Sequence, residues 1–313
     1  RSYLFYLFLY FIFNRKNALR KYWEKIFLDT SCKTVIAYQP DDYFCNAAKN
    51  LNIKTIELQH GEIYSNHIHY KNLKTKRRNI PDIFFCWDDY SQKKSQDLLI
   101  ARKSIKIGLP ELFAITKNNN LSSSNSFHSY KKYILVTLNH KFNSIYKFYP
   151  EYLLGPNNKL GIRCLYEFII ETRILGLCWR LRFHPNTERK EKVFIYNNMK
   201  SIKLNYPSID ISVDTNKDIM YNISPKTLHI TSNSSVARKF SLMNIKSIVT
   251  CPNIGYGESF NNLLEDGKIA RMKRNYTKEE FFDLLNEQIL SNHLNNINYE
   301  NIVDIYTIGK YLF

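Results

Sequence analysis

Short apolar runs alternate with helical stretches along this chain, in two series separated by one polar segment. Residues 34–38, 53–58, 83–87 and 104–107 read as strands, with helices over 43–50 and 89–101 and another ending near Phe27. The second series opens with a strand over 133–138, a helix over 161–175 and a strand over 178–183. Short strands over 209–213, 228–231 and 247–250 follow, with helical stretches between them that include 235–243. A helix over 278–291 closes the series, with Thr277 as its N-cap and Glu280 completing a capping box. Strand and helix in turn predict parallel sheets, because a parallel pair needs a crossover long enough to hold a helix. Ligand-binding loops then fall at the carboxyl ends of the strands. Between the series, residues 117–129 are Asn, Ser and Lys with almost no apolar spacing, the composition of a linker.

A chain of 313 residues exceeds what one core holds economically, which is about 250–300. The expected organisation is therefore a first domain over 1–116, a linker over 117–130 and a second domain over 131–313. The chain begins with Arg1 rather than Met, so the first domain is expected to be open to completion by a longer sequence.

The formal charge of +17 makes a field that attracts phosphates, nucleic acid or acidic lipid. The sequence has no zinc-finger spacing, basic heptad arm or aromatic RNP-like strand, so nucleic acid rests on charge alone and is not expected as a partner. Clusters such as Lys74-Thr75-Lys76-Arg77-Arg78 and residues 15–21 suit anionic headgroups or simply form solvated surface. The apolar run 3–13 is shorter than the ~20 residues of a membrane-spanning helix and lacks a small-residue cleavage site, so it reads as a core or interfacial helix. Six scattered cysteines with no metal-type spacing read as reduced and mostly buried, which favours the cytoplasm.

Two segments of the second series carry residues suited to an anion. In Arg180-Leu181-Arg182-Phe183-His184-Pro185, alternate strand residues share a face, so Arg180, Arg182 and His184 point to one side. Pro185 has no N–H and ends the ladder, leaving the imidazole at a loop mouth. A His-Pro at a strand end also serves as plain structure, and both readings stand at this point. The second segment, Thr231-Ser232-Asn233-Ser234-Ser235-Val236, precedes a helix carrying Arg238 and Lys239. Hydroxyls and N–H groups at a helix start form an anion site, and ordinary N-capping is the alternative. With a further loop over 252–259, these residues suit the wall of one nucleotide pocket. Its members are Arg180, Arg182, His184, Pro185, Ser232, Asn233, Ser234 and Ser235.

Together, Arg182-Phe183-His184-Pro185 and Ser232-Asn233-Ser234-Ser235 resemble the His-Pro and Ser/Thr motifs of bacterial sialyltransferases and related glycosyltransferases. Those enzymes have the GT-B fold, two Rossmann-like domains facing a cleft. Earlier in the chain, Ile56-Glu57-Leu58-Gln59-His60-Gly61, followed by His67, Tyr70 and Pro81-Asp82, resembles capsule and lipopolysaccharide glycosyltransferases that include Kdo transferases. The resemblance covers most of the chain as an ordered set of short motifs. It implies a CMP-linked ulosonic acid donor, sialic acid or Kdo-like, with His184 and Ser234 or Ser235 on the nucleotide phosphate. The implied acceptor is a bacterial surface glycan, free or lipid-linked, and the implied location is the inner face of the cell membrane, bound peripherally. One motif departs. The acidic pair followed by Gly that supplies the base in several sialyltransferases is absent, because Asp41-Asp42-Tyr43 lacks the glycine.

Inverting transfer needs a base for the acceptor hydroxyl and donors or cations for the departing phosphate. His60 is the leading base candidate: it ends a strand, precedes a glycine and carries a group that titrates near neutral pH. Glu57, Glu62, Asp41 and Asp42 are the alternatives, and a buried histidine shaping the turn is the competing reading. His67 and His69 read as plain surface or acceptor-side loop. No Asp-x-Asp stands out at a strand end, so no metal is expected, basic residues taking its place. No cofactor is expected beyond the donor itself.

A second resemblance is to CDP-polyol phosphotransferases of the teichoic acid type, through His60-Gly61, His184-Pro185 and Ser234-Ser235-Val236. The sugar transferase is preferred because residues 56–61 match the capsule enzymes more fully. The alternative of another class is a non-catalytic protein that binds nucleic acid or a membrane surface.

Overall fold

The computed structural model describes residues 16–64, 70, 79–110, 133–138, 159–184, 187–214, 227–231, 234–250, 257–271, 278–291, 308, 310 and 311. The chain divides into two compact units, Arg1–Pro110 with Asn301–Phe313, and Glu111–Glu300. Both are Rossmann-like α/β domains built on parallel sheets.

The first unit holds α1 (Lys16–Thr30), β1 (Thr34–Ala37), α2 (Asp42–Asn50), β2 (Lys54–Leu58), β3 (Ile83–Cys86), α3 (Asp89–Asp97) and β4 (Lys103–Lys106). Its four strands lie in the order β1-β2-β3-β4, all parallel. Every residue of β3 is buried, as expected of a central strand covered on both faces, whereas the edge strand β1 is not. Helix α2 begins where Asp41, in extended backbone, accepts from the Phe44 N–H at 2.7 Å. Its Phe44 meets Trp23 and Phe27 of α1 edge-on, with ring centroids 5.1 and 5.2 Å apart. Helix α3 stops at Asp97, short of the sequence expectation, because Leu99 adopts φ 53° and Ile100 N–H turns back to the Ser95 carbonyl at 3.0 Å. That closure drives Ile100 and Ala101 into the core.

The last residues of the chain belong to this first unit, not to the second domain as the sequence reading had them. Ile308 and Tyr311 pack on the apolar cluster of Ile56, Ile83, Phe85, Ile105 and Ile107. The Tyr311 carbonyl takes a hydrogen bond from Lys54 Nζ at 3.1 Å, and its hydroxyl accepts from Lys103 Nζ at 2.9 Å.

The second unit contains β5 (Tyr133–Thr137), α4 (Lys159–Glu171), β6 (Cys178–Arg182), α5 (Arg189–Asn205), β7 (Asp210–Val213) and β8 (Thr227–Thr231). It continues with α6 (Val236–Leu242), β9 (Ser247–Val249), α7 (Gly257–Glu265), β10 (Ile269–Arg271) and α8 (Lys278–Ser291). Six parallel strands run in the order β10-β9-β8-β5-β6-β7. Counted from β5, this is the 3-2-1-4-5-6 order of dinucleotide-binding sheets, whose direction of growth reverses between the first and fourth strands. The reversal here falls between β5 and β8. Trp179 of β6 anchors the core and meets Phe168 of α4, which meets Phe282 of α8, at 6.1 and 5.0 Å. Among the described residues, no helix is long and apolar enough to cross a membrane. The run 3–13 and the cluster 74–78 lie outside the described residues.

A histidine stands in the middle of this sheet. His229 of β8 has no exposed surface. Its Nε2 is 2.9 Å from Thr137 Oγ1 on β5 and its Nδ1 is 2.9 Å from Ser247 Oγ on β9, while Phe240 packs edge-on against the ring. Both hydroxyls can donate or accept, so a neutral ring is satisfied on both sides. Burial pushes its pKa down to about 3. The unfolded chain binds a proton here near pH 6.5 and the folded chain does not, so stability present above that pH is lost as pH falls toward 3. A loss of about 2 kcal/mol from this group is expected between pH 7.5 and pH 5. Urea unfolding of the wild type and of His229→Gln across that range checks it. The variant, with a group that does not titrate, should lose less by about that amount.

Candidate functional site

In the first unit, the carboxyl end of β2 is fixed by one side chain. Gln59 is buried; its Nε2 donates to the Gly61 carbonyl and to Ser91 Oγ, each at 3.0 Å, and its Oε1 accepts from the Trp87 N–H at 2.8 Å. The turn bearing His60 is thereby tied to the ends of β3 and α3. His60 itself is exposed, its ring 5.2 Å from that of Tyr38 at the end of β1. This arrangement presents an imidazole to solvent from a rigid strand end, so the reading of His60 as a buried turn-former does not describe it. A Cβ on Gly61 would meet nothing within 4 Å, so contacts among the described residues do not account for that glycine.

The carboxylate candidates are placed differently. Glu57 is fully buried in β2, where its Oε1 accepts from the Tyr70 hydroxyl at 2.8 Å. Asp42 Oδ1 accepts from the Asn79 N–H at 2.9 Å and from its Nδ2 at 3.2 Å, holding the chain that leads into β3. Asp41 caps α2, and Glu62 is buried. Nearby, burial raises the Cys86 thiol to about 12, so it stays protonated and unreactive. His67 and His69 lie outside the described residues.

In the second unit, strand alternation puts Arg180 and Arg182 on one face of β6, as the sequence reading expected, and each guanidinium meets a carboxylate. Arg180 Nη1 bonds Asp210 Oδ1 at 2.8 Å, and Arg182 Nη1 bonds Asp214 Oδ2 at 2.9 Å. Burial is the largest single influence on Arg180 and works against its charge, but the Asp210 hydrogen bond and the neighbouring charges, Asp210 among them, together hold the pKa above its ordinary value. These partners lie 30 and 32 residues away in sequence, so nothing local in the motif announces them. His184, two residues past the strand, is exposed, and its carbonyl accepts from the Thr187 N–H at 2.9 Å.

At the end of β8, the Ser234 N–H donates to Thr231 Oγ1 and Ser234 Oγ accepts from the Val236 N–H, both at 3.3 Å. Ser235, at the cap position of α6, has helical backbone and makes no capping bond with its side chain. Ser234 is thus the residue that organises this turn. Pro185, Ser232 and Asn233 lie outside the described residues. Arg238, which the sequence places on the helix after Ser235, is fully buried in α6 with Nη2 3.2 Å from Asn262 Oδ1 of α7, a partner that local patterning does not announce. Among the described residues, no three metal-ligating side chains assemble.

His184 and Ser234 therefore stand past the carboxyl ends of β6 and β8, on either side of β5. That is the crevice where open α/β sheets bind ligands, because loops there diverge at the reversal of strand order.

No family model and no curated protein sequence matches the chain. Solved structures do. A UDP-GlcNAc 2-epimerase from Neisseria meningitidis, bound to UDP-GlcNAc, superposes with a TM-score of 0.58 at 12% identity, over 95% of this chain and 80% of that one. Os79 from O. sativa in complex with UDP gives 0.59 at 8% identity, over 95% and 83%. Anabaena HepE in complex with UDP gives 0.50 at 12% identity, over 93% and 80%. This chain has the GT-B fold. In GT-B terms the first unit is the amino-terminal Rossmann-like domain and the second is the carboxy-terminal one.

The Arg182–Asp214 pair tests whether this face of β6 is structural. The Asp214 side chain is only 3% exposed, so Arg182→Met leaves a buried carboxylate without its guanidinium. A loss of about 3–5 kcal/mol is expected in urea unfolding. The double variant Arg182→Met/Asp214→Leu should recover most of it.

Proposed function

We propose that the chain is a glycosyltransferase that takes a nucleotide-sugar donor at the carboxyl ends of β5, β6 and β8. The observation that carries this reading is the 3-2-1-4-5-6 strand order with His184 and Ser234 standing on either side of the reversal. His184 and the Ser234 turn serve the donor phosphate, and His60 serves as base. In the inverting form of the reaction, His60 accepts the proton of the acceptor hydroxyl as that oxygen bonds the anomeric carbon. The bond from that carbon to the phosphate oxygen breaks, and the electron pair leaves with the phosphate, where N–H and hydroxyl donors stabilise it. Glu57 and Asp42 are assigned structural roles, because each already accepts hydrogen bonds that hold its neighbours. No step in this scheme calls on a metal or a further cofactor.

The donor is proposed to be a CMP-linked ulosonic acid, from the His-Pro and Ser-Ser motifs. Charge supports it. Arg180 and Arg182 are each matched by an aspartate, so they add little net charge, and a leaving group with one phosphate needs less neutralisation than one with two. A UDP-sugar is the second reading, favoured by the UDP or UDP-sugar in the three similar structures. The acceptor is proposed to be a lipid-linked surface glycan, met at the inner face of the membrane through the excess positive charge.

A thermal-shift series with CMP, CDP, UDP, GDP and dTDP tests the donor. Saturation at about 100 times Kd adds about 2.7 kcal/mol to stability. CMP is expected to raise Tm most; CDP alone would point to polyol phosphate transfer, and silence from all five contradicts the reading. His184→Ala is expected to abolish the shift. His60→Ala should keep the shift and lower turnover by about 10²–10⁴.

A further inference from the structure

The first unit holds a second polar feature, well removed in the fold from the strand ends that carry His60. A cavity of about 590 Å³ runs along α2 to the amino ends of β2 and β3, lined among others by Lys49, Lys54, Thr55, Asn79, Asp82 and Arg102. Ligands of open α/β sheets sit at the carboxyl ends, so this cavity is not part of the site described above.

Its charges do not cancel. Asp82 Oδ2 accepts from the Thr55 N–H and from Thr55 Oγ1, both at 2.9 Å, and Oδ1 lies 3.4 Å from Arg102 Nη1. One carboxylate and one guanidinium therefore offset each other, and two lysines remain. Lys54 uses one of its three N–H groups on the Tyr311 carbonyl, and Lys49 is exposed at the end of α2. The polar wall is also fixed in advance: Asp42 clamps Asn79 through two hydrogen bonds, and Thr55 clamps Asp82. Groups already held in place lose little freedom when a ligand arrives, so their contacts count toward affinity.

A preformed cavity of this volume fits a small ligand, and its net charge of two plus matches a phosphate monoester, which carries about −1.5 to −2 at neutral pH. We propose that this cavity binds a phosphomonoester, its phosphate held by Lys49, Lys54 and the free edge of Arg102. The proposal stands apart from the transferase reading, since it concerns other residues at the other end of the strands. The same phosphate could be carried by a free polyol or sugar phosphate or by a lipid headgroup.

The test titrates the whole chain with glycerol 3-phosphate by calorimetry and sediments it with phosphatidylcholine vesicles with and without phosphatidic acid. The comparison is with Lys49→Glu, and with Lys49→Gln should the charge reversal fail to fold. Lys49 is exposed, so the unfolding curve and the nucleotide-induced shift should match those of the wild type. Binding of glycerol 3-phosphate that weakens at least about tenfold in the variant supports the site with a free phosphate ester as its ligand. Sedimentation with phosphatidic acid that the variant loses, without binding in solution, supports it with a lipid headgroup as the source. Equal binding by wild type and variant in both arms, or binding in neither, overturns it.

Discussion

The pairing of β5 with β8, from Tyr133 with Thr227 to Thr137 with Thr231, determines where the rest of the second unit can stand. A strand that follows three others in sequence yet pairs beside the first must reverse the growth of the sheet. In open α/β sheets such a reversal marks the place where ligands bind, at the carboxyl ends of the strands. The pairing is held from inside by His229, which spans from Thr137 on one neighbour to Ser247 on the other. Backbone bonds extend the ladder past the strand ends, from Leu138 N–H to the Arg182 carbonyl and from Thr250 N–H to the Thr231 carbonyl, both at 2.8 Å. Residues just past these strand ends thus rise from a hydrogen-bonded floor.

Charge is organised by the same ladder. An excess of +17 could have gathered at the anion-suited edge of the sheet, yet the two arginines there are matched one to one by Asp210 and Asp214. Such pairs fix the β6–β7 edge and hold the face of β6 in one arrangement. In the proposed reading, recognition of a phosphate falls to His184 and the turn at Ser234. In the first unit, Gln59 holds the turn below His60 through three hydrogen bonds.

Much of this fold is legible in the sequence, for a physical reason. Strands buried on both faces read as unbroken apolar runs, as in Ile83–Cys86 and Tyr133–Thr137, and each lies within a residue of its sequence expectation. Strand β10 is not legible: it is three residues long, flanked by Lys268 and ending in Arg271. Helix α7 begins at Gly257 inside a stretch that reads as loop from its Pro and Gly content. The positions of the candidate residues, His60 in the first unit and His184 and Ser234 in the second, follow from strand ends, which local patterning supplies. What the arginines do depends on the register of β6 against β7, and what Glu57 does depends on its hydrogen bond from Tyr70, and neither is a local property. The return of Ile308 and Tyr311 to the first unit is likewise a long-range contact that no periodicity encodes.

The measurement that bears most directly on the reversal of β5 and β8 as the ligand site is amide hydrogen exchange of the whole chain, with and without saturating CMP and then UDP. The result expected is slowed exchange in peptides covering residues 182–187 and 231–238 with one of the two nucleotides. Exchange unchanged in both segments, or slowed only along residues 45–55 and 79–82, would contradict the account.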